Sequence, residues 1–559
     1  MDRREALAAL TAPGEVYELE EVDVLGRACR AFRNAPPTLR DLFDKGRSDL
    51  TFIVYEAERL TFEDTWGHAA RIARLLKDEY GVDKGDRVAI SMRNYPEWIT
   101  AFTAATSIGA IAVAMNSLWQ PDEMAYGLND CGAKVLFADA ERLERLSRQN
   151  ETSPDLKVVG VRTHDTHGVK ADLLEDLLAK TPATEMPVAD IHPNDDATIF
   201  YTSGSTGHPK GVVSCQRNII TALMSWELDA HAMAKMLGRE MPVPQEQPST
   251  LLAVPLFHVT GSHAVYLSCY RAQRRIVSMY KWDVDTAAAL IERERIASVV
   301  APAAMTGDLV TAAERTNHDL SSLDFVGGGG APRAPAQVRN IDKAFKKAKP
   351  NTGWGMTETN AIGTGIAGRD YLEHPESSGR CSAVLDIRIV DDTGNALPTG
   401  ERGEVQIRGT TVFRGYWNRD DANAETFIGD GWMRTGDVAY MDEDGFLYIV
   451  DRIKDLVIRG GENIGCGAVE AALLEHPDVV EVSVYGVPDE RLGEEVGATI
   501  YALAALSNET LTEFLQPRLA RFAIPRHLRF SDSPLPRTAS GKILKRQVRD
   551  EAVAALSNK

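Results

Sequence analysis

The stretch Ala-Thr-Ile-Phe-Tyr-Thr-Ser-Gly-Ser-Thr-Gly-His-Pro-Lys-Gly, residues 197–211, joins an apolar run to a loop of glycine and hydroxyl residues. Such a loop cannot pack a hydrophobic core, whereas its hydroxyls, its open backbone N–H groups and Lys210 can surround an anion. It differs from a Walker loop, because Pro209 precedes the lysine and Gly211 follows it. On local composition alone, a phosphate-binding loop and a Gly/Ser surface turn both remain open.

Helical and strand periods alternate on both sides of this loop. The patterns predict helices at 61–80, 97–108, 121–130 and 218–230, and strands at 87–92, 110–115, 134–138, 251–256 and 323–326. Such alternation predicts βαβ units and a parallel sheet covered by helices, so the expected fold class is α/β. The segment 98–121 carries no charge, but its Ala, Thr, Ser and Gly content favours a buried helix and strand over an integral membrane span.

The pattern changes to short strands and tight turns after about residue 380. Strands are predicted at 385–390, 403–408, 438–441 and 446–450, with a hairpin turn at Asp444-Gly445. The charged segment 451–455 suits a crossing between domains. Helices at 469–475 and 511–519 and strands at 479–485 and 497–503 then predict a small α+β domain.

Composition narrows the function classes. The 559 residues predict three or four compact units. The formal charge of −19 argues against a nucleic-acid binder. The six cysteines are scattered without metal-ligand spacing, and the N-terminus lacks the apolar region of a signal peptide, so we expect reduced thiols and a cytoplasmic location.

Four further stretches carry candidate chemistry. His258 follows a predicted strand in PLFHVTG, where pocket lining and simple packing are both open. Four glycines, 327–330, end another strand, and the segment 351–359 unites an aromatic ring, a hydroxyl and a carboxylate. The GxGxxG match at 363–368 is rejected as a dinucleotide fingerprint, because we expect neither a strand before it nor a helix after it. Lys542 lies on a Ser-Gly turn that also suits a solvated basic end.

Taken in order, YTSGSTGHPKGV, PLFHVTG, GGGGAP, GWGMTE, GYWN, the segment from RTGDVAY to GGENI, and PRTASGKI resemble the adenylate-forming superfamily, in its acyl-CoA synthetase branch. The resemblance runs from about residue 50 to residue 550. It implies a large N-terminal domain of two α/β lobes plus a β-barrel-like lobe, residues 1–451. It also implies a hinge at 452–456, aligned on Lys454, and a small mobile α+β C-terminal domain at 457–559.

The resemblance also implies roles for residues on the family's motifs. By this resemblance, residues 202–210 bind the ATP phosphates, Thr206 and Glu358 bind Mg²⁺, and Asp437 and Arg452 bind the ribose. Trp354 stands where the family usually has a tyrosine that stacks on adenine. The implied catalytic residues are Lys542, Thr357, Glu358 and His258. The implied nucleotide and CoA contacts are Thr202, Ser203, Gly204, Ser205, Thr206, Gly207, Lys210, Gly329, Gly330, Ala331, Pro332, Trp354, Gly355, Met356, Asp437, Arg452, Gly460 and Gly461, the last two beside the pantetheine.

The activity that the resemblance implies is an AMP-forming acid–thiol ligase using ATP, Mg²⁺ and CoA. Its substrate would be a hydrophobic carboxylic acid, either a medium- or long-chain fatty acid, an aryl acid or an alicyclic acid, which suggests lipid metabolism. An acyl-AMP ligase, a luciferase-like enzyme and an inactive nucleotide-binding scaffold remain alternatives, and a homodimer is kept open. The acyl pocket is expected among His258, Gly261, Ser262, Met305, 327–330, Trp354, Gly355 and Ile362, where the glycines suggest room for the acid. Two departures, Gln216 for histidine and Ala523 for lysine, lie outside the adenylation core, and the second weakens inference about CoA phosphate contacts.

Overall fold

The computed structural model describes residues 1–149, 155–202, 208–241, 243–330, 333–453, 455–460, 462–538 and 542–557. Its strands are, in chain order, β1 (Leu19–Val24), β2 (Arg27–Phe32), β3 (Thr51–Tyr55), β4 (Glu58–Thr61), β5 (Arg87–Ser91), β6 (Ile111–Ala114), β7 (Val135–Asp139), β8 (Lys157–Val161), β9 (Asp172–Leu173), β10 (Asp196–Thr202), β11 (Lys210–Cys215), β12 (Ser249–Leu252), β13 (Arg275–Ser278), β14 (Ser298–Val300), β15 (Phe325–Gly327), β16 (Lys349–Thr352), β17 (Thr364–Ala367), β18 (Gly379–Cys381), β19 (Leu385–Val390), β20 (Gly403–Gly409), β21 (Gly415–Tyr416), β22 (Phe427–Ile428), β23 (Trp432–Met441), β24 (Phe446–Arg452), β25 (Val457–Arg459), β26 (Glu462–Ile464), β27 (Val479–Asp489), β28 (Gly493–Ala502) and β29 (His527–Ser531).

The α-helices are α1 (Arg3–Leu10), α2 (Leu39–Lys45), α3 (Phe62–Asp78), α4 (Pro96–Ser107), α5 (Pro121–Cys131), α6 (Ala140–Ser147), α7 (Leu174–Lys180), α8 (Gln216–Met236), α9 (Ser268–Arg271), α10 (Val284–Glu294), α11 (Ala303–Arg315), α12 (Pro335–Ala344), α13 (Gly368–Glu373), α14 (Asp420–Thr426), α15 (Cys466–Leu473), α16 (Asn508–Leu515) and α17 (Lys545–Ser557). A π-helix covers Thr260–Leu267, and 3₁₀ turns cover Thr357–Thr359, Gly429–Gly431 and Arg521–Ala523.

The first α/β lobe is built on a sheet of order β21-β11-β10-β6-β5-β7-β8-β9. Its strands β10, β6, β5, β7, β8 and β9 run parallel, as the alternating pattern predicts, whereas β11 and β21 are antiparallel. The uncharged segment forms α4, in which every residue except Glu97 is buried, and then the buried strand β6. The prediction of a buried helix and strand is therefore confirmed.

The second α/β lobe and the β-rich lobe share one long sheet. Its path is β19-β20-β23-β24-β18-β17-β16-β15-β14-β12-β13-β3-β4, with β22 paired to β23. The strands β3, β13, β12, β14, β15 and β16 are parallel, and the pairing becomes antiparallel from β17 onward. Within the described residues, the β-rich lobe is thus an open extension of the second sheet and not a closed barrel.

The C-terminal residues form their own sheet of order β26-β25-β28-β27, with β29 beside β28. Helices α15 and α16 contribute buried side chains to its core, among them Val469 and Leu511. The predicted α/β class, with a large N-terminal and a small C-terminal domain, is confirmed. The boundary residues themselves stay a prediction.

Several local predictions were wrong. The strand predicted at 438–441 begins at Trp432, and the helix predicted at 511–519 ends at Leu515. The strand predicted at 251–256 ends at Leu252, because the chain turns at Pro255 toward the π-helix. The helix predicted at 218–230 runs on to Met236. The GxGxxG segment contains β17 and leads into α13, although we expected no helix; since β17 pairs antiparallel with β16 and β18, the rejection of a dinucleotide fingerprint still holds.

No helix among the described ranges is both long enough and apolar enough to cross a membrane.

Candidate active site

The ends of the predicted phosphate-binding loop lie on adjacent antiparallel strands. Thr202, the last residue of β10, is the cross-strand partner of Lys210, the first residue of β11. The Thr202 hydroxyl lies 3.4 Å from the Lys210 carbonyl oxygen. Residues 203–207, which include five predicted phosphate contacts, lie outside the described residues. The sheet therefore places the lysine directly beside the start of the loop.

Tyr416 connects Lys210 to Glu358. The Lys210 ammonium lies 4.9 Å from the centre of the Tyr416 ring, and the Tyr416 hydroxyl donates to Glu358 Oε1 at 2.8 Å. Burial raises the pKa of Glu358, and the hydrogen bond from Tyr416 opposes that rise. A tyrosine of the GYWN stretch thus joins the predicted phosphate lysine to the predicted metal carboxylate. The sequence analysis gave this tyrosine no role, although its motif was one of those that carried the resemblance.

A second polar group lies where the β-rich lobe meets the 351–359 segment. The indole nitrogen of Trp354 donates to Asp437 Oδ2 at 2.7 Å, and Arg452 Nε lies 3.2 Å from Asp437 Oδ1. Burial raises the pKa of Asp437, whereas Arg452 and the Trp354 hydrogen bond act to lower it. Asp437 and Arg452 are cross-strand partners on β23 and β24, so the sheet register brings the predicted ribose ligands together.

Lys542 adds a cation from the C-terminal domain to the same cleft. A Cβ atom added to Gly330 would lie 3.8 Å from Lys542 Cε. The residue is exposed overall, but the withdrawal of its ammonium from water lowers its pKa. Arg452 acts in the same direction, whereas Asp437 and Glu358 act to raise the pKa. The pKa of Lys542 is therefore affected by Asp437 and Glu358 of the N-terminal domain and by Arg452 of the predicted hinge.

His258 and His263 differ in their surroundings but not in their charge at pH 7. Burial lowers the pKa of His258 to about 4, and the charge of Lys542 contributes to that shift. His263 is fully buried, with Nδ1 2.8 Å from the Ser262 hydroxyl and Nε2 3.2 Å from Asn360 Oδ1. Burial lowers its pKa to about 3, so both rings are neutral at pH 7. The charge of Lys542 thus acts on His258, whereas His263 is a hydrogen-bonded core residue.

Three of the glycines around the cleft pack tightly against backbone, which differs from the sequence interpretation that they make room for the acid. An added Cβ would lie 2.1 Å from the Asn351 carbonyl oxygen at Gly327 and 2.3 Å from that of Pro255 at Gly261. At Gly355 it would lie 2.5 Å from the Ala361 carbonyl oxygen. Real Cβ atoms do not approach backbone this closely. The size of the acyl pocket therefore cannot be inferred from these glycines.

The remaining predicted residues divide into two groups. Gly329 precedes Gly330 at the end of the described 327–330 segment, Met356 caps the 3₁₀ turn that holds Thr357, and Gly460 donates its N–H to Leu492 O at 2.8 Å within the C-terminal domain. Outside the described residues are Ser203, Gly204, Ser205, Thr206, Gly207, Ala331, Pro332, Lys454 and Gly461.

No group of three metal-ligating side chains occurs in the described part of the chain. Glu358 is buried and has one oxygen held by a hydroxyl, which suits a carboxylate that shares a cation with substrate phosphates.

Comparison with known families identifies the class of protein that this fold and site define. The AMP-binding enzyme family matches residues 43–417, and the AMP-binding enzyme C-terminal domain family matches residues 468–542. The chain belongs to the AMP-binding enzyme family, and the resemblance to the adenylate-forming superfamily is confirmed.

Among curated proteins, the chain is similar to three kinds of CoA ligase. It is 32% identical to the long-chain-fatty-acid–CoA ligase FadD13 of Mycobacterium tuberculosis, covering 89% of this chain and 94% of that protein. It is 32% identical to the 2-succinylbenzoate–CoA ligase of Bacillus velezensis, covering 90% and 96%. It is also 32% identical to a feruloyl-CoA synthase from Amycolatopsis, covering 89% and 95%. The predicted enzyme class, an AMP-forming acid–thiol ligase, is confirmed.

Solved structures agree with this placement. The anthranilate CoA ligase AuaEII, in complex with anthranoyl-AMP, superposes with a TM-score of 0.83 at 25% identity, covering 93% of this chain and 98% of that one. The o-succinylbenzoate CoA synthetase MenE of Bacillus subtilis, in complex with its acyl-adenylate intermediate, gives 0.77 at 28% identity, covering 92% and 98%. MenE has also been solved with ATP and a magnesium ion. These complexes agree with the predicted use of ATP and Mg²⁺, and the CoA ligase relatives agree with the use of CoA.

Proposed function

We propose that this chain is an acyl-CoA synthetase that joins a hydrophobic carboxylic acid to CoA and splits ATP into AMP and pyrophosphate. The observation that carries the proposal is the position of Lys542, which belongs to the C-terminal domain and yet lies beside Gly330, where an added Cβ atom would be 3.8 Å from Lys542 Cε. A carboxylate that attacks a phosphate is an anion approaching an anion, so cations must offset charge in the transition state.

In the first half-reaction, a carboxylate oxygen attacks the α-phosphorus of ATP, the bond to the β-phosphate oxygen breaks, and pyrophosphate leaves. Lys542 bridges the substrate carboxylate and the α-phosphate, and Thr357 donates its hydroxyl to an α-phosphate oxygen. Lys210 and residues 202–207 hold the β- and γ-phosphates. Mg²⁺ held by Glu358 and Thr206 would neutralise part of the phosphate charge.

The cluster formed by Trp354, Asp437 and Arg452 orients the nucleotide. Trp354 stacks on adenine, with residues 329–332 on the other side of the base and the substrate carboxylate. Asp437 and Arg452 bind the ribose hydroxyls. The hydrogen bond from Trp354 to Asp437 and the ion pair with Arg452 support this assignment, because both fix the carboxylate before ATP arrives.

In the second half-reaction, the CoA thiolate attacks the acyl carbon, and AMP leaves as the thioester forms. For this step Lys542 must leave and the thiol must enter. A rotation of the C-terminal domain about the hinge at 452–456 would exchange them and bring Gly460 and Gly461 beside the pantetheine. The position of Lys542 beside Gly330 supports the assignment of this arrangement to the adenylate-forming step.

The acid is proposed to be an aliphatic, aryl or alicyclic carboxylic acid bound near His258, Met305 and Ile362. Burial of Met305 and Ile362, 6% and 2% exposed, supports an apolar subsite. The neutral ring of His258 adds no charge that would favour a second carboxylate. The named substrates of the relatives include fatty and aryl acids, and both classes therefore belong in the substrate panel.

Three further predictions accompany this proposal. The domain boundaries are those predicted from the sequence, at 451 and 457. The protein is expected in the cytoplasm, with a role in lipid metabolism. A homodimer stays open, and sedimentation of the purified chain would decide it.

The proposal is tested by giving the purified chain ATP, Mg²⁺, CoA and a panel of aliphatic, aryl and alicyclic acids. The expected result is AMP and pyrophosphate release that depends on one class of acid, with an equal yield of acyl-CoA. Release of AMP with an acyl-adenylate but no thioester would favour an acyl-AMP ligase. Formation of ADP, or no nucleotide turnover with any acid, would refute the proposal.

A further inference from the structure

A cluster of polar and aromatic side chains, of which only His208 belongs to the predicted phosphate segment 202–210, lies against the residues that flank the phosphate-binding loop. We call it the loop anchor, and it consists of Tyr126, Asp130, Tyr201, His208 and Arg419. Tyr126 and Asp130 lie one helical turn apart on α5. Arg419 follows the GYWN stretch, so the anchor joins three segments that are distant in the chain.

At the end of the loop, Tyr126 contacts the two residues that precede Lys210. Its ring stacks on the His208 ring with a centroid distance of 4.3 Å and an interplanar angle of 15°. Its hydroxyl lies 3.3 Å from the Pro209 carbonyl oxygen and accepts a hydrogen bond from Arg419. The contacts therefore hold both the side chain and the backbone of the segment that leads into the phosphate lysine.

At the start of the loop, Asp130 holds the residue that precedes Thr202. The Tyr201 hydroxyl donates to Asp130 Oδ2 at 2.7 Å, and Arg419 Nη2 lies 3.0 Å from Asp130 Oδ1. The Asp130 side chain is 8% exposed. A hydrogen bond to a charge that is shielded from water is stronger than one in water. Asp130 therefore holds the Tyr201 hydroxyl and the Arg419 guanidinium in place.

We propose that Tyr126 and Asp130 are positioning residues of the phosphate site: they hold Tyr201, which precedes Thr202, and His208 and Pro209, which precede Lys210, so that Thr202 and Lys210 are in place for the β- and γ-phosphates. This inference rests on the proposed function and adds residues to its first half-reaction. A loop of glycine and hydroxyl residues loses much conformational freedom when it orders around an anion. Fixed ends reduce that loss before ATP binds.

The anchor is expected to affect only one of the two half-reactions. The β- and γ-phosphates leave as pyrophosphate in the first, and the second involves only the acyl-adenylate and the thiol. Damage to the anchor should therefore weaken ATP binding and pyrophosphate exchange, and should spare thioester formation from supplied acyl-adenylate. Loss of general stability would lower both activities together, so the two roles can be separated.

The test uses the full chain and the variants Tyr126→Ala, Tyr126→Phe and Asp130→Asn. The matched control is Tyr80→Phe, which removes a tyrosine hydroxyl that donates to Asp172 at 2.8 Å elsewhere on the same lobe. The Kd for Mg-ATP by calorimetry and the KM for ATP in pyrophosphate exchange are expected to rise about tenfold in Tyr126→Ala. Tyr126→Phe, which keeps the stacking on His208, is expected to show a smaller rise. Asp130→Asn should raise both constants, and the control should match the wild type.

The inference is overturned if the wild type binds ATP and adenylates an acid, yet Tyr126→Ala has the same Kd and KM. It is also overturned if Tyr126→Ala lowers both half-reactions by the same factor. Failure of the proposed function would give a different result, in which the wild type binds ATP but forms no AMP with any acid. Because the Kd needs no acid substrate, the positioning role can be judged in either case.

Discussion

The two sides of the cleft are built differently. On the N-terminal side, Glu358, Trp354 and Asp437 are held by hydrogen bonds or ion pairs between strands and turns of one domain. On the C-terminal side, the Lys542 carbonyl oxygen accepts a hydrogen bond from the Thr538 N–H at 2.7 Å, and the residue is exposed. The N-terminal groups are thus fixed in place, whereas Lys542, which we propose to act in adenylation alone, lies on the C-terminal domain.

The largest effect is expected from Lys542→Ala, which removes the group that the C-terminal side supplies. Adenylation, measured by pyrophosphate exchange, should fall about 1000-fold or more, because the transition-state charge loses its partner. Thioester formation from supplied acyl-adenylate should stay near the wild-type rate. Arg546→Ala, an exposed cation of the same domain, serves as the control. Pyrophosphate exchange at the wild-type rate in Lys542→Ala would contradict the proposed role of this lysine in adenylation.

Gly327→Ala tests how rigidly the N-terminal side is packed. The new Cβ would lie 2.1 Å from the Asn351 carbonyl oxygen, so backbone must move, at a cost of about 3 kcal/mol. The Tm by calorimetry should fall by about 5 °C or more. Gly365→Ala is the matched control, because an added Cβ there meets nothing within 4 Å. Equal Tm values for the two variants would show that this glycine is not held by its neighbours.

Trp354→Phe removes one hydrogen bond from the fixed side and keeps an aromatic ring. Asp437 loses the donor that lies 2.7 Å from its Oδ2 atom. A hydrogen bond to a charged group contributes about 1.5–3 kcal/mol, so the KM for ATP should rise about tenfold or somewhat more. The KM for the acid should change much less. A KM for ATP that does not change would indicate that Arg452 alone orients the carboxylate.

The smallest effect concerns pH. Burial raises the pKa of Glu358, and the Tyr416 hydroxyl opposes this by favouring the ionised carboxylate. Tyr416→Phe removes this hydrogen bond, so the pKa of Glu358 should rise further. In an acid titration the carboxylate of the variant should therefore become protonated at a higher pH than that of the wild type. The acid limb of the adenylation profile should therefore move to higher pH.

Tyr448→Phe is the control for this shift, since its hydroxyl donates to Asp442 on the β-rich lobe. The control profile should overlie that of the wild type. A Tyr416→Phe profile that moves toward lower pH would contradict the sign of the effect.

Much of the fold could be predicted because its signals are local. The strand at Leu385–Val390 and the alternation of α3, β5, α4 and β6 follow from periodicity within short windows. The end of β12 was missed, because the apolar run continues through Phe257 while the hydrogen bonding changes to a π-helix. The spacing of apolar residues does not show at which residue a strand stops pairing with the neighbouring strand.

The site was predictable as a set of motifs but not as a set of contacts. The Tyr416–Glu358 and Trp354–Asp437 hydrogen bonds join residues 58 and 83 positions apart, and no periodic signal links them. The loop anchor was missed for the same reason, since Tyr126 and Arg419 are 293 positions apart. Glycines were assigned to substrate space because sequence cannot distinguish an open pocket from a close backbone approach.

The central claim, that the acid is joined to the α-phosphate of ATP before it reaches sulfur, is tested most directly with a carboxylic acid labelled with ¹⁸O in its carboxyl group. The purified chain would be given this acid, ATP, Mg²⁺ and CoA, and the products analysed by mass spectrometry. The account predicts one ¹⁸O atom in each AMP released and none in pyrophosphate. Label in inorganic phosphate with ADP as the other product, or AMP free of label, would contradict it.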